Sequence, residues 1–187
     1  MKIGIDFDNT LISYDSVFRA IYSDFGLEHY PGSKKLLKKA LIERDGDDIE
    51  WQKVQARVYG PEILKAKPAP GLLEFLKTYH KVHELFIVSH KTERSNIDNR
   101  VNLRDWARKW LKDNGVYNFI SIDRIFFLSE LDQKVLKIKE LGLDLFIDDL
   151  EKVAYNQFFP SECKFILFSD SEGPNMISDF SQLKGLI

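Results

Sequence analysis

Two aspartates two residues apart, Asp6 and Asp8, follow a short apolar run near the amino terminus. The run Ile3 to Phe7 reads as a buried strand, and strand side chains two residues apart point the same way. The spacing therefore predicts two carboxylates side by side at a strand end, with Asn9 and Thr10 next to them. Two like charges that close in a buried site repel strongly. A divalent cation is the plainest means of offsetting that repulsion. Two further polar clusters close apolar runs. Ser89-His90-Lys91 follows Glu84 to Val88, and Asp148-Asp149 follows Leu143 to Ile147. Taken alone, Ser89 is an ordinary strand-end hydroxyl. Asp148-Asp149 alone reads as a helix cap ahead of Leu150-Glu151-Lys152-Val153, a role compatible with metal binding.

The elements that must position these groups alternate along the chain. Apolar strand patterns cover Ile3 to Phe7, Glu84 to Val88, Arg124 to Leu128, Leu143 to Ile147 and Lys164 to Phe168. Helical patterns lie between them at Leu72 to Tyr79, Leu103 to Leu111, Gln133 to Leu141, Glu151 to Phe158 and Ile177 to Leu183. Thr92 to Asn99 is a polar loop. This alternation predicts an α/β fold, a Rossmann-like parallel sheet covered on both faces. Ligands in such sheets bind beyond the carboxyl ends of the strands. If the first strand is central, flanked by the second and fourth, all three polar clusters converge there. Residues 12–69 show helical stripes and no strand pattern. They read as a helical insert within a core made of 1–11 and 70–187.

Composition narrows the partner classes. The chain has 187 residues, 44% hydrophobic and 30% charged, with a net charge of −2. With no long basic run, neither a nucleic acid nor a membrane is the expected partner. Cys163 is the single cysteine, which excludes an intrachain disulfide and a thiolate-rich metal site. No apolar segment approaches a membrane span, and the chain opens on a strand pattern rather than a signal peptide. A cytoplasmic setting is expected. The sequence does not indicate an oligomeric state.

Asp6-Phe7-Asp8-Asn9-Thr10-Leu11 resembles the first motif of the haloacid dehalogenase superfamily. Ser89 resembles its second motif, Lys134 its third and Asp148-Asp149 its fourth. The helical insert resembles the small C1-type cap that this superfamily places after motif one. The resemblance implies a phosphatase in which Asp6 is the nucleophile and forms an aspartyl phosphate. It implies Mg2+ held by Asp6, the backbone carbonyl of Asp8 and Asp149, with Asp148 bound through water or orienting the others. Asp8 would protonate the leaving oxygen and then activate water, and its carboxylate neighbours should raise its pKa. Lys134 would add positive charge beside the nucleophile, although Lys137 lies on the same helix. Ser89 and backbone N–H groups would bind phosphoryl oxygens. The expected substrate is a small phosphorylated metabolite, a sugar phosphate or nucleotide. Two rival readings stand beside hydrolysis. One is phosphoryl transfer to a second hydroxyl, as in sugar phosphomutases. The other is a non-catalytic phosphoacceptor module akin to receiver domains, which place their Asp after the third strand.

Other polar residues carry weaker expectations. Thr10 either binds phosphate or braces the loop after Asp8, with the brace preferred. His90 either touches substrate or is structural. Lys91, Arg94, Arg100 and Arg104 form a locally basic stretch, either a solvated loop or a second anion contact. His80 and His83 have a chelating spacing but no third ligand, and they precede the second strand, away from the polar clusters. Phe18, Tyr22 and Trp51 read as core of the insert.

Overall fold

The computed structural model describes residues 1–187. Six parallel strands form the main sheet: β1 (Lys2–Ile5), β4 (Glu84–His90), β5 (Ile125–Leu128), β6 (Leu145–Asp148), β7 (Lys164–Phe168) and β8 (Met176–Ile177). Their spatial order is β5-β4-β1-β6-β7-β8, so β1 is flanked by β4 and β6 as the pattern predicts. The order reverses beside β1, which makes the carboxyl end of β1 the natural ligand position.

Contacts divide the chain into two compact units. The first comprises 1–12, 68–91 and 111–187 and contains the main sheet. Its helices include α4 (Leu72–Tyr79) and α6 (Leu131–Leu141). One apolar core joins Phe86 and Val88 of β4, Phe146 of β6, and Val135 and Ile138 of α6. The face of β1 toward this core carries Gly4. A Cβ there would run into the Leu143 side chain and lie 2.7 Å from Phe146. Gly4 thus lets these side chains cross the middle of the sheet.

The second unit comprises 13–67 and 92–110. It holds α1 (Asp15–Ile21), α2 (Lys34–Asp45), α3 (Ile49–Val58) and most of α5 (Leu103–Asp113). Ser33 caps α2 by accepting from the Leu36 N–H at 3.2 Å. Phe18 stacks on Trp51 at 6.0 Å, and Tyr14 meets Tyr59 edge-on at 4.9 Å. Tyr22 is only partly buried, against Tyr30. Trp110 is fully buried and its indole N–H donates to the Ala66 carbonyl at 2.9 Å.

Several local features differ from the patterns read in the sequence. Segment 92–110 groups with the inserted helices rather than with the sheet unit. The insert is bounded by two two-residue strands, β2 (Ile12–Ser13) and β3 (Lys67–Pro68), which pair with each other. They are too short to leave an alternating signature. The stretch 151–158 is a single 3-10 turn, Glu151–Val153, rather than a helix. There Asn156 takes the Phe158 N–H on its own side chain, offering the backbone an alternative to helix, and Pro160 follows.

Gly4→Ala should lower stability by about 1–3 kcal/mol, the usual cost of overpacking. For a chain of this size that is a melting point lower by roughly 3–10 °C. Thermal unfolding followed by circular dichroism reads it, and an unchanged melting point would show that Leu143 and Phe146 move aside freely.

Candidate active site

Strand parity builds the centre of the site. Gly4 of β1 lies opposite Phe146 of β6, and both side-chain positions face α6. Two residues on, Asp6 and Asp148 occupy the same face. The Asp6 N–H donates to the Ile147 carbonyl at 2.9 Å, which keeps the two aspartates level past the end of β1. Lys134, in the first turn of α6, then reaches both. Its ammonium donates to Asp6 Oδ1 at 2.6 Å and to Asp148 Oδ2 at 2.5 Å. Lys134 is 1% exposed, Asp6 4% and Asp148 0%, so this is an ion triad taken out of water. Lys137, the other candidate on this helix, places its ammonium on Glu140 instead.

The titration of the triad follows from that burial. Desolvation pushes Asp6 up to about 7 against the pull of Lys134, with Asp148 acting in the same direction as burial. Desolvation likewise lifts Asp148 to about 6, again against Lys134. Burial works to lower Lys134, but the two carboxylates outweigh it and hold the ammonium above its ordinary value. One ammonium is therefore too little positive charge for the carboxylates around it.

Asp149 completes a group of three. Ligand oxygens of Asp6, Asp148 and Asp149 lie within 4.8 Å of one another. The donors are all carboxylate oxygen, without histidine or thiolate, which suits a hard ion such as Mg2+. The charge shortage at Asp6 and Asp148 points the same way. These three residues fit the ion that the resemblance implies.

Asp8 stands outside that group. The chain leaves β1 at Ile5, earlier than the apolar run suggests, and turns at once. Leu11 and Ile12 both donate to the Phe7 carbonyl, and Asn9 adopts a left-handed φ of 61°, a conformation asparagine tolerates. Asp8 therefore sits on a turn rather than on a strand. Its carboxylate takes two hydrogen bonds from the Lys91 ammonium, at 2.9 and 2.8 Å. The carboxylate crowding expected at Asp8 falls on Asp6. Lys91, expected among the substrate contacts, is 4% exposed and turned onto Asp8.

Two hydroxyls among the expected substrate contacts are buried without partners. Thr10 is 0% exposed and Ser89 1%, and neither side-chain oxygen makes a hydrogen bond. Each such group costs about 1–3 kcal/mol. Ser89 lies one residue beyond Val88 near the end of β4, on the alternate face. The preferred brace by Thr10 finds no acceptor. His90 points its Nε2 at the Ser129 carbonyl, 3.0 Å away. Burial lowers its pKa, so the neutral ring with Nε2–H donating is the favoured form. Arg94 donates to the Asn99 carbonyl and Arg100 pairs with Asp98, so both are engaged within their own loop. His80 bonds the Leu76 carbonyl, and His83 stacks on Tyr79 at 5.6 Å.

Metal-free protein should lose stability as pH rises through the range of these carboxyls. Unfolded aspartate titrates near about 3.9. Between there and the folded values of about 7 and about 6, the folded state binds more protons than the unfolded. The contribution of Asp6 and Asp148 is thus full below pH 4 and lost above pH 7. Mg2+ needs the ionised oxygens, so it should raise the melting point more at pH 8 than at pH 5. At about 100-fold excess over Kd the gain is about 2.7 kcal/mol. Equal shifts at both pH values would place the ion elsewhere.

No sequence-family profile matches the chain, and no curated protein matches it by sequence. Solved structures do match. A haloacid dehalogenase-like hydrolase from Streptococcus pneumoniae superposes with a TM-score of 0.65 at 13% identity, covering 99% of this chain and 97% of its own. A chain from Bacillus subtilis assigned as a hydrolase of the same class, solved bound to magnesium, gives 0.61 at 11% identity over 99% and 97%. A chain from Thermotoga maritima assigned as a beta-phosphoglucomutase gives 0.58 at 13% identity over 100% and 98%. At these identities the likeness speaks for architecture, and with the parallel sheet and its acidic end it shows that this chain has the haloacid dehalogenase fold.

Proposed function

We propose that the protein is a Mg2+-dependent phosphatase that hydrolyses a small phosphate monoester, a sugar phosphate or nucleotide, through an aspartyl phosphate on Asp6. The observation that carries this reading is the buried triad of Asp6, Lys134 and Asp148, with Asp149 in the same group, beyond the ends of β1 and β6. Asp6, Asp149 and the backbone carbonyl of Asp8 would hold the ion, with Asp148 bound through water or orienting the others; when bound it would neutralise charge on the carboxylates and on the substrate phosphate.

Phosphate monoesters hydrolyse extremely slowly unaided, and a carboxylate nucleophile divides the reaction into two easier steps. Asp6 attacks phosphorus and the ester P–O bond breaks. Asp8, having taken up a proton before the step, gives that proton to the departing oxygen. Water then attacks the aspartyl phosphate, Asp8 takes a proton from it, and inorganic phosphate leaves with Asp6 regenerated. Lys134 keeps Asp6 aimed and offsets its charge as the phosphate approaches. Ser89 and Thr10, buried and unpartnered, are suited to receive phosphoryl oxygens. The helical unit interrupts the chain after β1, where the resemblance implies a cap. A cytoplasmic setting belongs to the same proposal. It is supported by the single cysteine, Cys163, which is buried and has no second cysteine to pair with. No helix is long and apolar enough to cross a membrane.

Phosphoryl transfer to a second hydroxyl would use the same residues, and the Thermotoga maritima neighbour keeps that reading open. Products separate the two: free phosphate for hydrolysis, an isomerised sugar phosphate for transfer. The direct test is a panel of phosphorylated metabolites scored for phosphate release with and without Mg2+. Asp6→Asn should abolish release, and Asp8→Asn should slow it by about two to four orders of magnitude. An inert wild-type protein across the panel would end the phosphatase reading.

A further inference from the structure

A second lysine works beside Lys134. We propose that Lys91 is a positioning residue, which clamps the Asp8 carboxylate in the orientation needed for proton transfer. This rests on the reading of Asp8 given above and extends it to a residue 83 positions away.

The need for a clamp follows from where Asp8 sits. Asp6 is fixed by the sheet through its N–H bond to Ile147, whereas Asp8 lies on a turn that passes through the left-handed Asn9. Side chains on turns are held less exactly than those on strands and helices. The Asp8 side chain is 22% exposed, while that of Lys91 is 3% exposed. Of the two partners, the lysine is the more deeply buried and is suited to hold the carboxylate. The Lys91 N–H donates to the Leu128 carbonyl at 2.8 Å, which ties its backbone to the end of β5 just past the His90–Leu128 pair. Its ammonium lies 5.3 Å from the centre of the Phe7 ring, and Phe7 meets Phe127 of β5 edge-on at 5.6 Å. The backbone is anchored on the sheet, and the ammonium rests on Phe7, which packs in turn on Phe127 of β5.

The contact itself has the right form. The ammonium bonds both oxygens of Asp8, at 2.9 and 2.8 Å, which fixes the plane of the carboxylate and not merely its location. The two lysines thus divide the work. Lys134 enters from α6 onto Asp6, and Lys91 enters from the end of β4 onto Asp8.

A double-mutant cycle on the full-length protein with Mg2+ tests this. Lys91→Met should lower kcat by about 10- to 100-fold, the scale of a small misplacement of a reacting group, with KM within about two-fold of wild type. In the Asp8→Asn background the same change should lower kcat no further. Their melting-point changes should be non-additive as well, since the pair is already broken by either. If Lys91→Met melts below the assay temperature, Lys91→Gln carries the same comparison. A rise in KM, with kcat losses that add to those of Asp8→Asn, would make Lys91 a direct substrate contact and overturn the proposal. Additive melting-point changes would overturn it too. An inactive wild-type enzyme is a different result, which removes the phosphatase reading itself.

Discussion

An ammonium held between two carboxylates, away from water, is the constraint on which the rest of this molecule depends. Burying three charges together is expensive, and their attraction repays the cost only with good geometry. Lys134 meets that condition because α6 packs on the face of the sheet that carries Gly4 and Phe146. The absence of a side chain at residue 4 thus bears directly on the chemistry two residues later. Substituting a larger residue there would press on Leu143 and Phe146, and through them on the helix that carries the lysine. Packing and electrostatics at this site are one problem, solved by one strand register.

The same triad supports the proposed ion. Lys134 supplies a single positive charge, and the carboxyls of Asp6 and Asp148 still sit well above the ordinary aspartate range because of burial. A cluster left in that condition holds protons near neutral pH. The proposed divalent ion would displace them and leave Asp6 an anion, as its proposed role as nucleophile requires. The buried hydroxyls of Thr10 and Ser89 show a parallel shortage, of hydrogen-bond partners rather than charge. Both shortages suit a bound phosphate with its metal.

Much of this was legible in the chain, and what was not has physical reasons. Nearly all-apolar strands alternating with helices imply a covered parallel sheet, and the sheet has its first strand between the second and fourth of those patterns. Asp6 and Asp148 could be placed at strand ends because each ends an apolar run. Their meeting needs only strand parity and the pairing of Gly4 with Phe146. The bond between Lys91 and Asp8 left no trace, because nothing local in either segment reports on a partner 83 residues away. The helix expected after Asp149 stops at Val153, and beyond it the Asn156 side chain takes the Phe158 N–H. The last expected helix became β8 followed by a 3-10 turn, Phe180–Leu183, set by a capping box between Asp179 and Gln182.

The grouping of 92–110 with the inserted helices has a consequence for how such a unit could be exchanged. The chain crosses between the two units four times, at 12/13, 67/68, 91/92 and 110/111, and not just at the ends of one insert. Trp110 illustrates the result, since its indole proton is satisfied by the Ala66 carbonyl on the far side of the sheet-forming segment in sequence. Excising 13–67 as a cassette would strand a buried tryptophan and the helix that bears it. Any recombination that transplants this helical unit must carry both segments together.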